Sequence, residues 1–522
     1  VLWWGVDMPY NPTAEAVLRA TVDAIPDAVA REAALSRLGR LDAARDGVAA
    51  AAGRPEQLAV AMRALDETFT AVTGEEPERR KGEQYAGRRL CYEETVRDVE
   101  LTIGGAVLEA VRAPFVDVLL PAARWLSVRL AETYVDAFAS LYEKLRSEGS
   151  ARVPLADFWS AAQGLVTGPD LPADAVAADF GRRWGELLGL DRVPPGSSDV
   201  QLASADLAPI AAELFEAERP GWPGARIHSP DIHVGARSVD ALARGEFTVV
   251  LGELHTAWPT LDAAVFVDRH PDPGVLYSAA AADIGPQFRP LYPTWWPRYT
   301  ARIAPVLGAT DHQLAFDAAP GADPARVVPI TGVDVLERDG AVVAEAQDGR
   351  TWPVFDVFEL VVAWLGSEAY KLATTDRHTP RISIDRLVIA RETWRARLGE
   401  LELCRVGGRL PEYQAARRWR RAAGLPERVF AKIGSEIKPT YVDFTSPRYV
   451  SCFATMLRSA WQRGGDEVEV VLSELLPGPD EAWLPDAEGR RYSCELRVQF
   501  RDPMPARTRR PQGPVPARKE DA

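Results

Sequence analysis

Phe247-Thr-Val-Val-Leu-Gly-Glu-Leu-His255 is the stretch that decides the fold class. Phe247 to Leu251 is a short β-branched apolar run, the pattern of a buried strand. Before it the chain reads as helix. Residues 14 to 73 are rich in Ala, Leu, Arg and Glu, with Leu58, Met62, Leu65, Phe69 and Val72 at helical spacing. A second helical run covers Val107 to Leu145, with Leu126, Leu130, Tyr134, Phe138 and Leu141 on one apolar face, which reads as an ordinary core stripe. After Phe247 the strand pattern continues. An Arg338-Asp-Gly340 turn lies between strand-like stretches, Arg381 to Ala390 alternates, and Val468 to Leu472 and Tyr492 to Phe500 follow. Helix returns at Pro411 to Ala423. The expected class is mixed α/β (α+β): a helical first third, then mixed sheets with packed helices. The Pro/Gly/Ser-rich segment Asp191 to Asp199 reads as a loop or joint. The expected organisation is therefore a mainly helical part over 1–190, a mixed α/β part over 191–502, and a disordered tail over 503–522, where proline and arginine crowd out apolar residues.

Composition narrows the function classes. The 522 residues are 47% apolar and 26% charged, ordinary for a globular protein and incompatible with wholesale disorder. No apolar run reaches the ~20 residues of a spanning helix, and Phe115 to Val128 is broken by Asp117, Pro121 and Arg124. No signal peptide is visible. Cys91, Cys404, Cys452 and Cys494 are far apart, which argues against a disulfide framework or a structural zinc and for a reducing, cytoplasmic location. A net charge of −14 excludes a uniformly basic nucleic-acid coat and leaves only local basic patches. Residue 1 is Val, so the expectation is a processed start or a sequence that begins inside a longer protein.

Motifs are mostly silent. There is no phosphate loop, no dinucleotide fingerprint, no HExxH and no GxSxG elbow. His228, Asp231 and His233 in HSPDIH resemble a metal constellation, but their spacing matches no standard site, and no metal is expected. Glu253 and His255, two apart on an extended segment, share one face; that suits general base work or, equally, a strand-end histidine satisfied by a carboxylate. Basic clusters occur at Arg79 to Lys81, at Gly87 to Arg89, and at Arg417, Arg418, Arg420 and Arg421 around Trp419 on an expected helix. Arginine forks match phosphate geometry and an aromatic among them allows base stacking, although such runs are commonly just solvated faces. Arg182 and Arg183 read as that kind of face.

Several phrases together resemble one family, the class I lanthipeptide (lantibiotic) dehydratases, in their tRNA-dependent glutamylation domain. They are Tyr85-Ala-Gly-Arg-Arg-Leu-Cys-Tyr-Glu-Glu94 with Arg97-Asp98, Pro121-Ala-Ala-Arg-Trp-Leu126, His228-Ser-Pro-Asp231 and Val250-Leu-Gly-Glu-Leu-His255. Further on come Pro380 to Val388 running into Arg391-Glu-Thr-Trp394, Gly424 to Lys432, Glu436 to Asp443, Leu476 to Leu484 and Glu495-Leu-Arg497. The resemblance implies a transferase that moves glutamate from glutamyl-tRNA to Ser or Thr hydroxyls of a ribosomally made precursor peptide. Glutamate is then eliminated by a separate protein, as in the split systems of thiopeptide and actinobacterial pathways.

No cofactor is implied beyond glutamyl-tRNA as co-substrate. The implied partners are that tRNA, the precursor peptide, the elimination protein and a second copy of this chain. Carried over residue by residue, the resemblance makes Glu94, Glu253 and His255 the catalytic candidates. It makes Arg88, Arg97, Arg381, Arg391, Lys432 and Lys438 substrate- and tRNA-binding candidates, to which the basic cluster on the expected helix adds Arg417 and Arg421. The family's N-terminal Arg-rich phrase running into Thr-Pro-Phe-Gly, and its elimination domain, are not found in this sequence, so residues 1–522 are expected to fold but not to transfer alone. Two other readings remain: a peptide–aminoacyl-tRNA ligase extending a peptide's C-terminus, and a non-catalytic scaffold of a peptide-modifying complex.

Overall fold

The computed structural model describes residues 14–506 apart from 79–89, 92–96, 98, 150, 195, 268, 293–307, 318–321, 371–376 and 435–437. Residues 507–522 of the expected tail, and the candidates Arg88 and Glu94, lie outside the described residues. Three helices come first: α1 (Ala14–Asp23), α2 (Ala28–Ala50) and α3 (Pro55–Thr73). Asp27 caps α2 by accepting from the Ala30 amide, and Gly74 closes α3 at φ 76°, so the orphan groups at these ends find partners. Val48, Ala51 and Leu65 are their buried residues, and none of them belongs to the main core.

That core begins with α4 (Gly105–Ala113) and α5 (Leu120–Glu148). The predicted stripe is real: Leu126, Leu130, Tyr134 and Phe138 are fully buried. Each such side chain contributes roughly 1.5–3 kcal/mol of apolar burial. Phe138 meets Phe158 of α6 (Leu155–Val166), and α7 (Pro172–Leu188) adds Phe180 and Trp184. Residues on both sides of the Asp191–Asp199 segment share this one core, which also takes in α8 (Val354–Ala369).

The first sheet contains β1 (Asp199–Leu202), β2 (Ile227–Ala236), β3 (Phe247–Thr256), β5 (Arg381–Ile384), β6 (Leu387–Ala390), β11 (Glu495–Arg497) and β12 (Phe500–Arg501), and the short strand β4 (His378–Thr379) precedes β5. Its order is β1-β5-β6-β3-β2-β11, with β12 also on β2. The alternation read over Arg381 to Ala390 is a hairpin, turned at Asp385 with φ 51°. The second sheet joins β4, β7 (Thr393–Arg397), β8 (Arg428–Ile433), β9 (Thr440–Asp443) and β10 (Glu469–Glu474) in the antiparallel order β4-β7-β10-β8-β9. Helices α9 (Arg409–Ala422) and α10 (Pro447–Gly464) cover one of its faces and enclose a separate core of Leu398, Val429, Ala431, Phe453 and Leu457, among others. Among the described residues, no helix is long and apolar enough to cross a membrane.

Candidate functional site

Strands β2 and β3 pair antiparallel, and their register breaks at one place. Pro230 faces Leu254 but Ile232 faces Leu251, so Gly252 and Glu253 together oppose Asp231. Such a bulge re-aims the side chains around it. Gly252 fits closely there: a Cβ would stand 3.0 Å from His233 Nε2 and 3.3 Å from both the Cβ and the carbonyl oxygen of Asp231, so a side chain would press on both residues. Past the bulge, His255 Nε2 lies 3.2 Å from Asp231 Oδ2 and 3.9 Å from Glu253 Oε2. The sequence expectation that Glu253 and His255 share a face is met, with Glu253 largely exposed at the rim.

Strand β11 supplies the rest. Arg497 stands opposite Asp231 in the register, with Nη1 2.6 Å from Asp231 Oδ1 and 3.0 Å from His255 Nε2. An arginine N–H only donates, so in that pairing Nε2 accepts and the ring proton sits on Nδ1; donation from Nε2 to Asp231 belongs to the other tautomer. Arg497 Nε also holds Glu495 Oε1 at 3.0 Å, and Glu495 Oε2 is 3.3 Å from His233 Nε2. Burial pushes the His233 pKa down and the Arg391 charge adds to this, against Glu495 and Asp231.

Arg391 and Arg381 flank this end of the sheet. Arg391 follows β6 directly and donates from Nε to the Leu476 carbonyl at 2.8 Å. Burial lowers its pKa from the ordinary value, while Glu474 and Glu495 oppose the shift. Arg381, at the start of β5, is bidentate on Glu474, with Nε 2.8 Å from Oε1. Asp231, Glu253 and His255 also present one ligating atom each within 4.8 Å of one another. The Arg497 guanidinium already occupies two of those groups, and its charge opposes a cation there. His228 faces elsewhere: it is fully buried, its Nδ1 accepts from the Ala257 amide, and burial holds its pKa down to about 4.

The remaining candidates are dispersed. Arg97 stacks over Tyr492 at 4.1 Å. Arg417 and Arg421, four apart on α9, share one face, and Arg417 lies over Tyr413. Their neighbours are engaged, Arg418 with Glu402 and Arg420 with the Leu425 carbonyl. Lys432 is exposed on β8, on the face opposite the one α9 and α10 cover, and Lys438 is exposed just before β9. The Trp419 ring, expected to be open for base stacking, packs against Phe453 and Phe444. Arg183 corrects the solvated-face reading: it is half-buried over Trp125 and bonded to Asp179 and the Leu214 carbonyl.

Sequence reasoning missed Arg497 as the partner of Asp231 and His255. A carboxylate inside an otherwise buried strand was the available signal, since buried charges are paired.

A family model described as the lantibiotic dehydratase N terminus matches residues 1–282. None of the curated proteins matches the chain. Among solved structures the chain is similar to the glutamylation domain of TbtB from thiomuracin biosynthesis, at 18% identity and a TM-score of 0.49, covering 89% of this chain and 57% of that one. It is also similar to the tRNA-dependent lantibiotic dehydratase MibB from Microbispora sp. 107891, at 15% identity and a TM-score of 0.51, covering 89% of this chain and 48% of that one. The chain thus spans about half the length of these proteins, and the likeness to MibB is one of fold.

Proposed function

From the premise that the chain belongs to the lantibiotic dehydratase family, whose N-terminal region its residues 1–282 match, we propose that it is the glutamyl-transferring component of a peptide-dehydrating system. Glutamyl-tRNA is the donor, and Ser and Thr hydroxyls of a precursor peptide are the acceptors. Elimination falls to a separate protein. The observation that carries this reading is the Asp231, His255 and Arg497 array at the bulged end of the first sheet, flanked by Arg391 and Arg381.

The donor is an activated ester, so the reaction needs a base, charge stabilisation and positioning rather than ATP. The acceptor hydroxyl displaces Arg497 from the Nε2 lone pair of His255. Its oxygen bonds to the glutamyl carbonyl carbon as its proton passes to Nε2. The bond from that carbon to the ribose oxygen then breaks, and the leaving oxygen takes the proton. Asp231 holds the imidazolium formed in between, and Arg497 supports the oxyanion. Arg391, with its N–H groups beyond Nε, and Arg97 serve as anion anchors. The tRNA meets Arg417, Arg421, Lys432 and Lys438. MibB is named as tRNA-dependent, and the shared fold supports the same donor class here.

The test uses the protein at its full natural length, with pre-charged glutamyl-tRNA and precursor peptide, chelator present and ATP omitted. The expected product is a glutamylated peptide, seen by mass. His255→Ala should lower the rate by roughly 10²–10⁴-fold, the usual contribution of a positioned base. Absence of modification by the unaltered protein would sink the proposal, and an unchanged rate in the variant would remove His255 from it.

A further inference from the structure

Among the described residues, the helices packed on the second sheet lie on one side of it. Along β8, Val429, Ala431 and Ile433 point into the core beneath α9 and α10, so Arg428, Phe430 and Lys432 point the other way. Register places Phe430 between Tyr441 of β9 and Ser473 of β10, with Thr393 of β7 beyond Ser473. Lys432 stands beside Val471, and Val471 beside Arg395. Phe430, Tyr441 and Val471 belong to neither hydrophobic core.

The rings form a row. Phe430 meets Tyr441 at 6.3 Å and 70°, and Tyr441, on the edge strand β9, meets the exposed Tyr449 of the first turn of α10 at 5.3 Å and 90°. Edge-to-face contact leaves ring faces uncovered by the partner. Cations bracket the row. Arg428 is 3.6 Å from Asp443, Arg395 is 4.0 Å from Glu469, and Lys432 has no acidic partner among the described residues. The region as a whole is cationic, residues 393–474 holding fourteen Arg and Lys against ten Asp and Glu, net +4 in a chain whose total is −14, with eight of the fourteen on α9 and α10.

We propose that this open face binds unpaired RNA, the single-stranded acceptor end of the charged tRNA. Bases stack on Phe430, Tyr441 and Tyr449, and the backbone phosphates run past Lys432, Arg428 and Arg395. An antiparallel sheet with helices on one face and aromatic rings on the other is a physical platform for unstacked bases, because every base has a π-face and the rings are held rigid by the strands. Arg417 and Arg421 lie across the sheet, so they meet a different part of the same RNA. The proposal rests on the tRNA-donor reading above, and the experiment separates the two.

Fluorescence anisotropy of a labelled oligonucleotide copying the unpaired 3′ end, against a duplex RNA of equal length and an unstructured peptide, measures binding by the full-length protein. The single strand should bind in preference to both. Phe430→Leu with Tyr441→Leu keeps the apolar bulk and removes the π-faces. Binding should weaken by about 5- to 150-fold per ring with the salt slope unchanged. Lys432→Ala should lower that slope by about 0.7. Phe430→Trp, which keeps a ring at the position where Phe430→Leu removes one, should retain affinity; a site sensitive only to packing would lose it in both. Equal binding by wild type and the double variant, or preference for the duplex or the peptide, would overturn the platform. Oligonucleotide binding without any glutamyl transfer would leave the platform standing and reject the reaction; transfer without oligonucleotide binding would do the reverse.

Discussion

At the bulged end of the first sheet, Asp231, His255, Arg497, Glu495 and His233 hold one another at distances between 2.6 and 3.3 Å. On the second sheet and its helices, Arg417, Arg421 and Lys432 have no acidic partner among the described residues. The first arrangement fixes the orientation of its side chains, as bond-making chemistry requires. The second leaves cations able to exchange counter-ions for phosphates, as a large polyanion requires. Under the function proposed above, that difference in charge pairing would separate reaction from docking within one chain.

The paired character extends below the site. Arg124 holds Asp502 through Nε at 2.7 Å, with Asp502 fully buried. Asp502→Ala would strand a largely buried guanidinium and should cost about 3–5 kcal/mol, read from urea unfolding with the slope unchanged. A cost below ~1 kcal/mol would mean that the ion pair is spectator to the fold.

His228 sharpens the same point through pH. Its pKa in the folded chain is held down to about 4, chiefly by burial, from the ordinary 6.5; the Asp502 charge opposes the shift and the Arg124 charge assists it. The unfolded chain therefore binds the additional proton first as pH falls. The neutral imidazole's stability contribution is complete above about pH 6.5 and is lost as pH drops toward 4, amounting to about 3 kcal/mol. In His228→Gln the fall in urea midpoint between pH 7 and pH 4.5 should be smaller than in wild type. An equal fall would assign the acid sensitivity to carboxylates alone.

The basic helix α9 predicts a smaller effect. Arg417→Ala with Arg421→Ala should reduce the slope of log K for tRNA against log salt by roughly 1.4–1.8, at 0.7–0.9 for each phosphate left without its cation. Arg182, exposed and paired with Asp179, is the control. Arg182→Ala should leave the slope unchanged and stability within about 0.5 kcal/mol. If both variants flatten the slope alike, α9 is not a docking element.

Local pattern sufficed for the helices over residues 14 to 73, for the α5 stripe, and for the β3 strand at Phe247. Each depends on periodicity within a dozen residues, which is where helix and strand geometry act. The helix α9 was also expected, over Pro411 to Ala423, and the pair Arg417 and Arg421 was legible because residues four apart share a helix face. Sequence alone put Glu253 beside His255, since extended residues two apart share a face. It did not show that the β2 and β3 registers slip at Asp231, because a bulge is a property of two strands rather than one. Nor did it show that Arg497, 242 residues further along, closes on His255, that Arg183 lies half-buried over Trp125, or that Lys432 and Arg417 fall on opposite faces of one sheet. Those facts depend on which strand lies beside which and what packs above it. Pairing and burial are decided by residues distant in sequence, so only the tertiary structure could settle them.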